Sequence, residues 1–227
     1  WRFILATVDA VNYSKKFKIT IKGDHVSFFK KNPVIINNSS VKKINITLND
    51  SGNTVITVYT KSLQGYKIYR EGDYFVVSMN KPRKIYKNIL VLDAGHGGFD
   101  SGASYKKTLE KNLNLKVIYT LMKGYVNKNA SDLHVYWTRR TDKFITLDTR
   151  AKFAKKVGAD MFISLHMNSA PSRANGTEVY YSVSNNKKSF SGITSNKMAT
   201  LMKNELVKNL KTKNRGVKTA GFFVIKN

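Results

Sequence analysis

The sequence predicts an α/β protein: residues 89–227 form a mainly parallel, twisted sheet flanked by helices, preceded by a smaller antiparallel β domain at residues 1–88. Three observations predict this architecture. Polar and apolar residues alternate around glycine-containing turns in the first part, which is typical of hairpins with one buried face. In the second part, continuous apolar runs alternate with stretches of helical spacing, which is typical of parallel strands covered by helices. A hydrophobic content of 41% in 227 residues is enough for a core.

The first part contains three predicted hairpins and no predicted helix. Their sequences are KFKITIKGDHVSFFKK, VKKINITLNDSGNTVITVYTK and YKIYREGDYFVVSMN, with turns at Gly23-Asp24, residues 49–53 and residues 71–73. The stretch NKPRKIYKN at residues 80–88 is predicted to be a linker or a crossing strand.

The second part alternates between strand-like and helix-like segments. Residues 89–93 form a continuous apolar run, as a strand buried on both faces requires. Further strands are predicted at residues 133–138, 160–166 and 177–183, and helices at residues 109–125, 146–157 and 193–211.

The net charge of +26 is spread along the whole chain. A distributed positive charge favours a polyanionic partner. Nucleic acid, anionic lipid and anionic cell-wall polymer are equally compatible with this charge. The alternative is that the lysines form solvated surface faces without a polyanionic partner. No nucleic-acid-binding motif accompanies the charge, and the aromatic residues fall at core-like alternating positions. We therefore expect no specific nucleic-acid partner.

The chain has no cysteine, which excludes disulfides and thiolate metal sites. No window approaches the ~18 uninterrupted apolar residues of a membrane span, so no transmembrane segment is predicted. The chain opens on Trp1 rather than Met, and we expect a processed or trimmed fragment.

Two histidines follow predicted parallel strands. His96 comes just after the first strand, in VLDAGHGGFDSGA, and His166 closes DMFISLH. Ligands of open α/β sheets bind at the carboxyl ends of strands. Glu110, at the predicted start of a helix, could turn back toward the same edge. Two imidazoles and one carboxylate are a common zinc set with a position left open. The alternatives are ordinary packed histidines and a carboxylate that stabilises a helix N-terminus.

Several motifs occur in a fixed order: LDAGHGGFDSGA, LEKNLNL, VYWTRRTD, LDTRAKFAKKVGADMFISLHMNS, GTEVYY and NRGV. Together they closely resemble the zinc-dependent N-acetylmuramoyl-L-alanine amidases of the type-3 amidase family, over residues 89–226. The resemblance implies that His96, Glu110 and His166 bind Zn²⁺. It also implies hydrolysis of the amide that joins N-acetylmuramic acid to the L-alanine of the peptidoglycan stem peptide.

The resemblance extends to five other residues. Asn168 and Glu178 match family positions that imply substrate binding or support of a metal ligand. Arg139, Asp142 and Arg150 match positions that we interpret as structural support.

The chain departs from the family pattern in two places. The loop before Glu110 reads SYKKTLEK and lacks the usual glycine. The family normally also has a last strand with the glutamate expected as general base, whereas this sequence stops at AGFFVIKN. We expect this glutamate to lie beyond Asn227, so the chain is expected to be incomplete and to bind zinc but turn over poorly. The alternative is a catalytically inactive zinc- and cell-wall-binding protein of the same fold.

Some relatives of this family carry a small β domain that helps to target the cell wall. The β-rich residues 1–88 are predicted to be such an accessory domain. The composition and the resemblance indicate a secreted, cell-wall-associated protein of a Gram-positive bacterium, with peptidoglycan as substrate and anionic wall polymers as further partners.

Overall fold

The computed structural model describes residues 5–10, 15–72, 74–129, 132–168, 175–189 and 192–226. The chain divides into two compact units, Trp1–Ile85 and Tyr86–Asn227. None of the helices in the described part of the chain has the length and apolar character needed to cross a membrane.

The first unit is built from antiparallel strands. Four of them form a sheet in the order β1-β2-β4-β3, and two more form a separate hairpin, β5-β6. The elements are β1 (Leu5–Ala10), β2 (Lys16–Ile21), α1 (Val26–Lys31), β3 (Val41–Leu48), β4 (Thr54–Thr60), β5 (Gly65–Glu71), β6 (Tyr74–Asn80) and α2 (Pro82–Ile85). Tyr66 of the hairpin stacks on Phe17 of the sheet, with ring centroids 5.1 Å apart, so the two layers share one core.

Two of the three predicted hairpins are confirmed, as β3-β4 and β5-β6. Asp73 of the third predicted turn lies outside the described residues. The prediction of a hairpin around Gly23 is wrong, because residues 26–31 form helix α1 and β2 pairs with β4 instead. The Asp24 carboxylate accepts the N–H of Val26, and the N–H of His25 donates to the Thr54 hydroxyl at 2.7 Å, so the chain enters a helix there.

The second unit alternates strands and helices, as predicted. Its elements are β7 (Asn88–Ala94), β8 (Ser104–Tyr105), β9 (Thr108–Leu109), α3 (Glu110–Leu115), a π-helical stretch (Lys116–Leu121), α4 (Met122–Asn129), β10 (Leu133–Trp137), α5 (Leu147–Val157), β11 (Met161–Leu165), β12 (Thr177–Tyr181), a short 3₁₀ helix (Val183–Asn185), α6 (Ser195–Leu210), β13 (Asn214–Thr219) and α7 (Phe223–Lys226). The four strands predicted for this part are confirmed, whereas β13 and the final helix α7 were not predicted.

Strand β7 is the centre of a parallel sheet with the order β10-β7-β11. Ile89 and Val91 on one face and Leu90 and Leu92 on the other are all buried, which confirms the prediction of a strand covered on both faces. Strands β12 and β13 form a second parallel pair. The single, mainly parallel sheet that was predicted is therefore corrected: in the described part of this unit the parallel strands form two sheets, and β8 and β9 form a separate antiparallel pair.

The helix predicted at residues 109–125 is interrupted. It begins at Glu110 as predicted but widens into a π-helical stretch at Lys116–Leu121. Such stretches change which main-chain groups pair within a helix. The carbonyl of Ile118 accepts a hydrogen bond from the Trp137 indole at 3.1 Å, so packing against β10 accompanies the irregular turn.

Residues 80–88 were predicted to be a linker or a crossing strand. The division between the two units falls within them, after Ile85, and they also contain helix α2 and the start of β7.

Candidate metal centre

The site lies where two neighbouring parallel strands end. Strands β7 and β11 are adjacent, and Leu165 pairs with Ala94 at their carboxyl ends. His96 follows β7 by two residues, and His166 directly follows β11. The topology therefore brings together two histidines that are 70 residues apart in the chain.

Three side-chain atoms form a nearly equilateral triangle at this edge. His96 Nε2, His166 Nδ1 and Glu110 Oε1 lie 3.1 Å from one another in each pairing. Ligand atoms of a tetrahedral zinc ion, each at about 2.0–2.2 Å from the metal, are separated by about 3.3–3.6 Å, slightly more than the separations in the triangle. The spacing and the donor set of two nitrogens and one oxygen therefore fit a zinc ion.

Glu110 is buried, with only 4% of its surface exposed, and two main-chain N–H groups fix its carboxylate. Its Oε2 accepts the N–H of Ala103 and its Oε1 accepts the N–H of Met167, both at 2.8 Å. Burial raises the pKa of the Glu110 carboxyl, but these two N–H groups and the imidazoles of His96 and His166 outweigh it and lower the pKa below its ordinary value. An ionised carboxylate is the form that binds a metal ion.

Asp100 fixes the orientation of the His96 ring. Its Oδ2 lies 2.9 Å from His96 Nδ1, and its Oδ1 accepts the N–H of Gly102. Burial raises the pKa of the Asp100 carboxyl, but the bonds to His96 and Gly102 prevail and lower it. An ionised Asp100 can only accept, so Nδ1 carries the proton and Nε2 presents its lone pair to the triangle.

His166 forms the open side of the triangle, with 37% of its side chain exposed. Partial burial and the neighbouring His96 ring lower the pKa of its imidazole, although Glu110 acts in the opposite direction. The ring is therefore neutral at neutral pH, as a ligand must be. Its exposure leaves room for a further molecule to reach the triangle.

Two glycines allow the three side chains to approach one another. A Cβ atom on Gly95 would lie 2.3 Å from the His166 ring. A Cβ atom on Gly102, which has a φ of +62°, would lie 2.6 Å from the His96 ring and 2.8 Å from the Glu110 carboxylate. A larger residue at either position would displace one of the ligand candidates.

Arg139 and Asp142 tie the surrounding loops together. The Arg139 guanidinium donates to the carbonyls of Ala94, Gly95 and Lys111 at 2.7–2.9 Å. Asp142 accepts the N–H of Gly98 and the Lys111 ammonium. The main chain before His96 is thus linked to the main chain after Glu110.

Arg150 contacts the same segment from α5. Its guanidinium contacts the buried Asp93 carboxylate and donates to the carbonyls of Ala94 and His96. Asp93 also accepts a hydrogen bond from the Ser164 hydroxyl at 2.6 Å. Beneath the site, these contacts join β7, α5 and β11.

Asn168 and Glu178 do not contact the triangle. Asn168 Nδ2 lies 3.4 Å from Glu178 Oε1, while Glu178 Oε2 accepts from Arg215 and from Lys218. The Lys218 ammonium, assisted by Arg215, lowers the pKa of Glu178 to about 2. Their role in substrate binding remains a prediction.

The sequence analysis missed three residues that contact the ligands or the segment that carries them: Asp93, Asp100 and Asn114. Asn114 is fully buried, and its amide lies 3.4 Å from Glu110 Oε1 and 3.3 Å from the carbonyl of Gly95. Asp100 lies four residues after His96, and Asn114 lies four residues after Glu110. On α3 this spacing places two residues on one face, so it was an available signal.

An α/β fold with an open cluster of two histidines and one glutamate at its strand ends is typical of metal-dependent hydrolases. Residues 90–227 match the family described as N-acetylmuramoyl-L-alanine amidase, and the chain belongs to this family.

Two curated relatives match about 60% of the chain. The chain is 37% identical over 136 residues to the uncharacterized protein YqiI of Bacillus subtilis, which covers 60% of this chain and 62% of that protein. It is also 36% identical over 138 residues to the N-acetylmuramoyl-L-alanine amidase LytC of the same species. That alignment covers 60% of this chain and 26% of LytC. The matched part thus spans less than two thirds of either relative.

A solved structure resembles the same part of the chain. The catalytic domain of CwlV, an N-acetylmuramoyl-L-alanine amidase from Bacillus (Paenibacillus) polymyxa var. colistinus, has a TM-score of 0.54 at 33% identity. It covers 62% of this chain and 74% of that domain.

Proposed function

We propose that this protein is a zinc-dependent peptidoglycan hydrolase that cleaves the amide between N-acetylmuramic acid and the L-alanine of the stem peptide. The observation that carries the proposal is the triangle of His96 Nε2, Glu110 Oε1 and His166 Nδ1, with sides of 3.1 Å. Family membership supplies the substrate class.

The metal ligands would be His96, Glu110 and His166. When bound there, a zinc ion supplies Lewis acidity, which polarises an amide carbonyl and makes water a better nucleophile. Asp100 holds the proton on His96 Nδ1, and the N–H groups of Ala103 and Met167 hold the Glu110 carboxylate in place. These contacts fix the positions of the donor atoms relative to one another.

The open side of the triangle would admit the substrate. The side chains of Glu110 and His166 differ strongly in exposure, 3% against 37%, so access is from the His166 side. A long glycan with peptide branches can reach a centre that is open at the strand ends, whereas it could not enter an enclosed cavity.

The experiment is hydrolysis of purified peptidoglycan by the protein with added zinc. We expect new α-amino groups of L-alanine to appear only slowly, because no residue of this sequence matches the general-base glutamate of the family. We expect chelation or a His96→Ala substitution to abolish their release. A Tyr125→Ala variant on α4 is the matched control. Release of reducing sugars instead of amino groups would contradict the proposed bond, because it would indicate cleavage of the glycan.

A second candidate function is zinc-dependent wall binding without hydrolysis. No residue of this sequence matches the general-base glutamate of the family. Glu178, another carboxylate that matches a family position, has a pKa of about 2 and is held by two cations, so it is poorly suited to replace that base near neutral pH. In that case zinc would bind and the protein would be retained on walls, but no amino groups would be released.

We also propose that residues 1–88 are an accessory domain, that the protein is secreted to a Gram-positive wall, and that its charge of +26 assists retention on anionic wall polymers. Attraction between exposed charges is screened beyond about 10 Å at 0.1 M salt. Retention on purified walls should therefore weaken as salt rises. Retention that does not change with salt would indicate carbohydrate recognition in place of charge.

A further inference from the structure

An exposed aromatic pair lies beside the metal centre. Phe99 has 84% of its surface exposed, although it is three residues from His96. Its ring packs against the half-buried ring of Phe144, with centroids 4.2 Å apart and planes inclined by 31°. The pair therefore presents an apolar surface to solvent at the edge of the site.

The backbone that carries this pair is held firmly. Gly97 and Asp100 exchange main-chain hydrogen bonds of 2.9 and 3.2 Å, which close the turn around Phe99. The N–H of Gly98 donates to Asp142, and the carbonyl of Gly98 accepts from Lys111 at 2.7 Å.

The turns that carry Phe99 and Phe144 are packed closely against each other. A Cβ atom on Gly97 would lie 2.2 Å from the carbonyl oxygen of Lys143, and one on Gly98 would lie 2.8 Å from the backbone nitrogen of Phe144. An aromatic surface on a fixed backbone loses little conformational freedom when a ligand covers it.

We propose that Phe99 and Phe144 form a sugar-binding subsite that stacks on a pyranose ring of the glycan, next to the reacting amide. A pyranose chair has a flat face of C–H groups that packs on an aromatic ring while its hydroxyl groups remain in water. This inference rests on the proposed function, in which the acyl side of the scissile amide is attached to a sugar.

The distances are compatible with this assignment. Three residues span at most about 11 Å of chain, so Phe99 lies within about that distance of His96. Asp100, the residue after Phe99, contacts His96 directly at 2.9 Å. A sugar joined to the reacting carbonyl through a short lactyl group falls in this range.

The rival occupant is the stem peptide, which leaves from the other side of the scissile bond. We favour the sugar because the highly exposed Phe99 ring offers a flat apolar face, which matches the C–H face of a pyranose. The two occupants are separated by ligands that contain only one of them.

The experiment measures binding to the metal-free protein by titration followed by NMR, so that it requires neither zinc nor turnover. The ligands are a soluble glycan fragment that contains N-acetylmuramic acid without peptide, and the free stem peptide. We expect Phe99→Ala to weaken binding of the glycan fragment about tenfold and to leave peptide binding unchanged.

Two further variants test stacking as opposed to general apolar contact. Phe99→Leu keeps the apolar character without a flat ring and should lose most of the affinity, whereas Phe99→Tyr should retain it. Tyr125→Ala, an exposed aromatic on α4 with 64% exposure, is the control and should bind like the wild type. Thermal unfolding confirms that each variant is folded.

The subsite is refuted if the glycan fragment does not bind to the wild type, if it binds equally to Phe99→Ala, or if only the stem peptide responds. Failure of the proposed function is seen separately, as an absence of amide hydrolysis by the zinc-loaded wild type.

Discussion

Arg150 and Asp93 form a buried ion pair beneath the candidate metal centre, with side chains only 3% and 1% exposed. Arg150 also donates to the main-chain carbonyl of the metal-ligand candidate His96 at 2.8 Å. The pair therefore couples the stability of the second unit to the position of one ligand.

We expect Arg150→Met to destabilise the protein by about 3–5 kcal/mol, because it leaves the Asp93 carboxylate buried without its charged partner. The double variant Arg150→Met with Asp93→Asn should recover part of this loss. Chemical denaturation of the wild type, the two single variants Arg150→Met and Asp93→Asn, and the double variant measures it. Losses that add up in the double variant would show that the two residues are not coupled.

Asp100→Asn should weaken zinc binding by about 10–100-fold without unfolding the protein, since an amide no longer fixes the proton on His96 Nδ1. A competitive zinc titration measures the change. Asp148→Asn removes a carboxylate from the exposed pair with Lys152 on α5 and serves as the control. An affinity unchanged in Asp100→Asn would exclude the assigned role.

Gly95→Ala should displace the His166 ring, because the added Cβ would lie 2.3–2.7 Å from three of its atoms. We expect a cost of about 1–3 kcal/mol from overpacking and a loss of zinc affinity. Gly124→Ala is the matched control, since no atom lies within 4 Å of its added Cβ. That helical substitution should stabilise the protein by up to about 1 kcal/mol. Normal zinc binding by Gly95→Ala would contradict the close approach.

The stability of the second unit should depend on the protonation of His134. Its ring stacks on Tyr86 with centroids 3.6 Å apart, and burial, assisted by Arg140, lowers its pKa to about 4. Between pH 4 and 6.5 the unfolded chain binds a proton that the folded chain does not, so stability falls as the pH decreases through this range. Over the whole range, the free energy of unfolding decreases by about 3 kcal/mol.

Unfolding midpoints between pH 4 and 7 measure this dependence. His134→Phe keeps an aromatic ring against Tyr86 and should flatten the profile. If the unfolding midpoint of the variant depended on pH as steeply as that of the wild type, groups other than His134 would cause the pH dependence.

The ligand candidates could be named from local patterns in the sequence, but these patterns left ordinary packed residues as alternatives, and the family resemblance decided between them. His96 and His166 follow apolar runs whose parallel pairing places their ends together, and Glu110 begins a helix. The parallel direction of β7, β10 and β11 was predicted from the same runs, whereas the order in which these strands pair was not.

The features that were not predicted depend on distant contacts. Helix α1 replaces a strand partly because His25 donates to Thr54, 29 residues away. Asp93 is an ordinary strand residue in the sequence and acquires its role from Arg150, 57 residues away. The π-helical stretch accompanies a bond between Ile118 and Trp137 on another element.

A zinc titration of the protein, followed by X-ray absorption at the zinc edge, tests the convergence of His96, Glu110 and His166 most directly. We expect one zinc ion per chain, with two nitrogen ligands and one carboxylate oxygen at about 2.0–2.2 Å, and loss of this site in His166→Ala and in Glu110→Gln. Stoichiometric zinc binding that survives both substitutions, or no binding by the wild type, would contradict the metal centre.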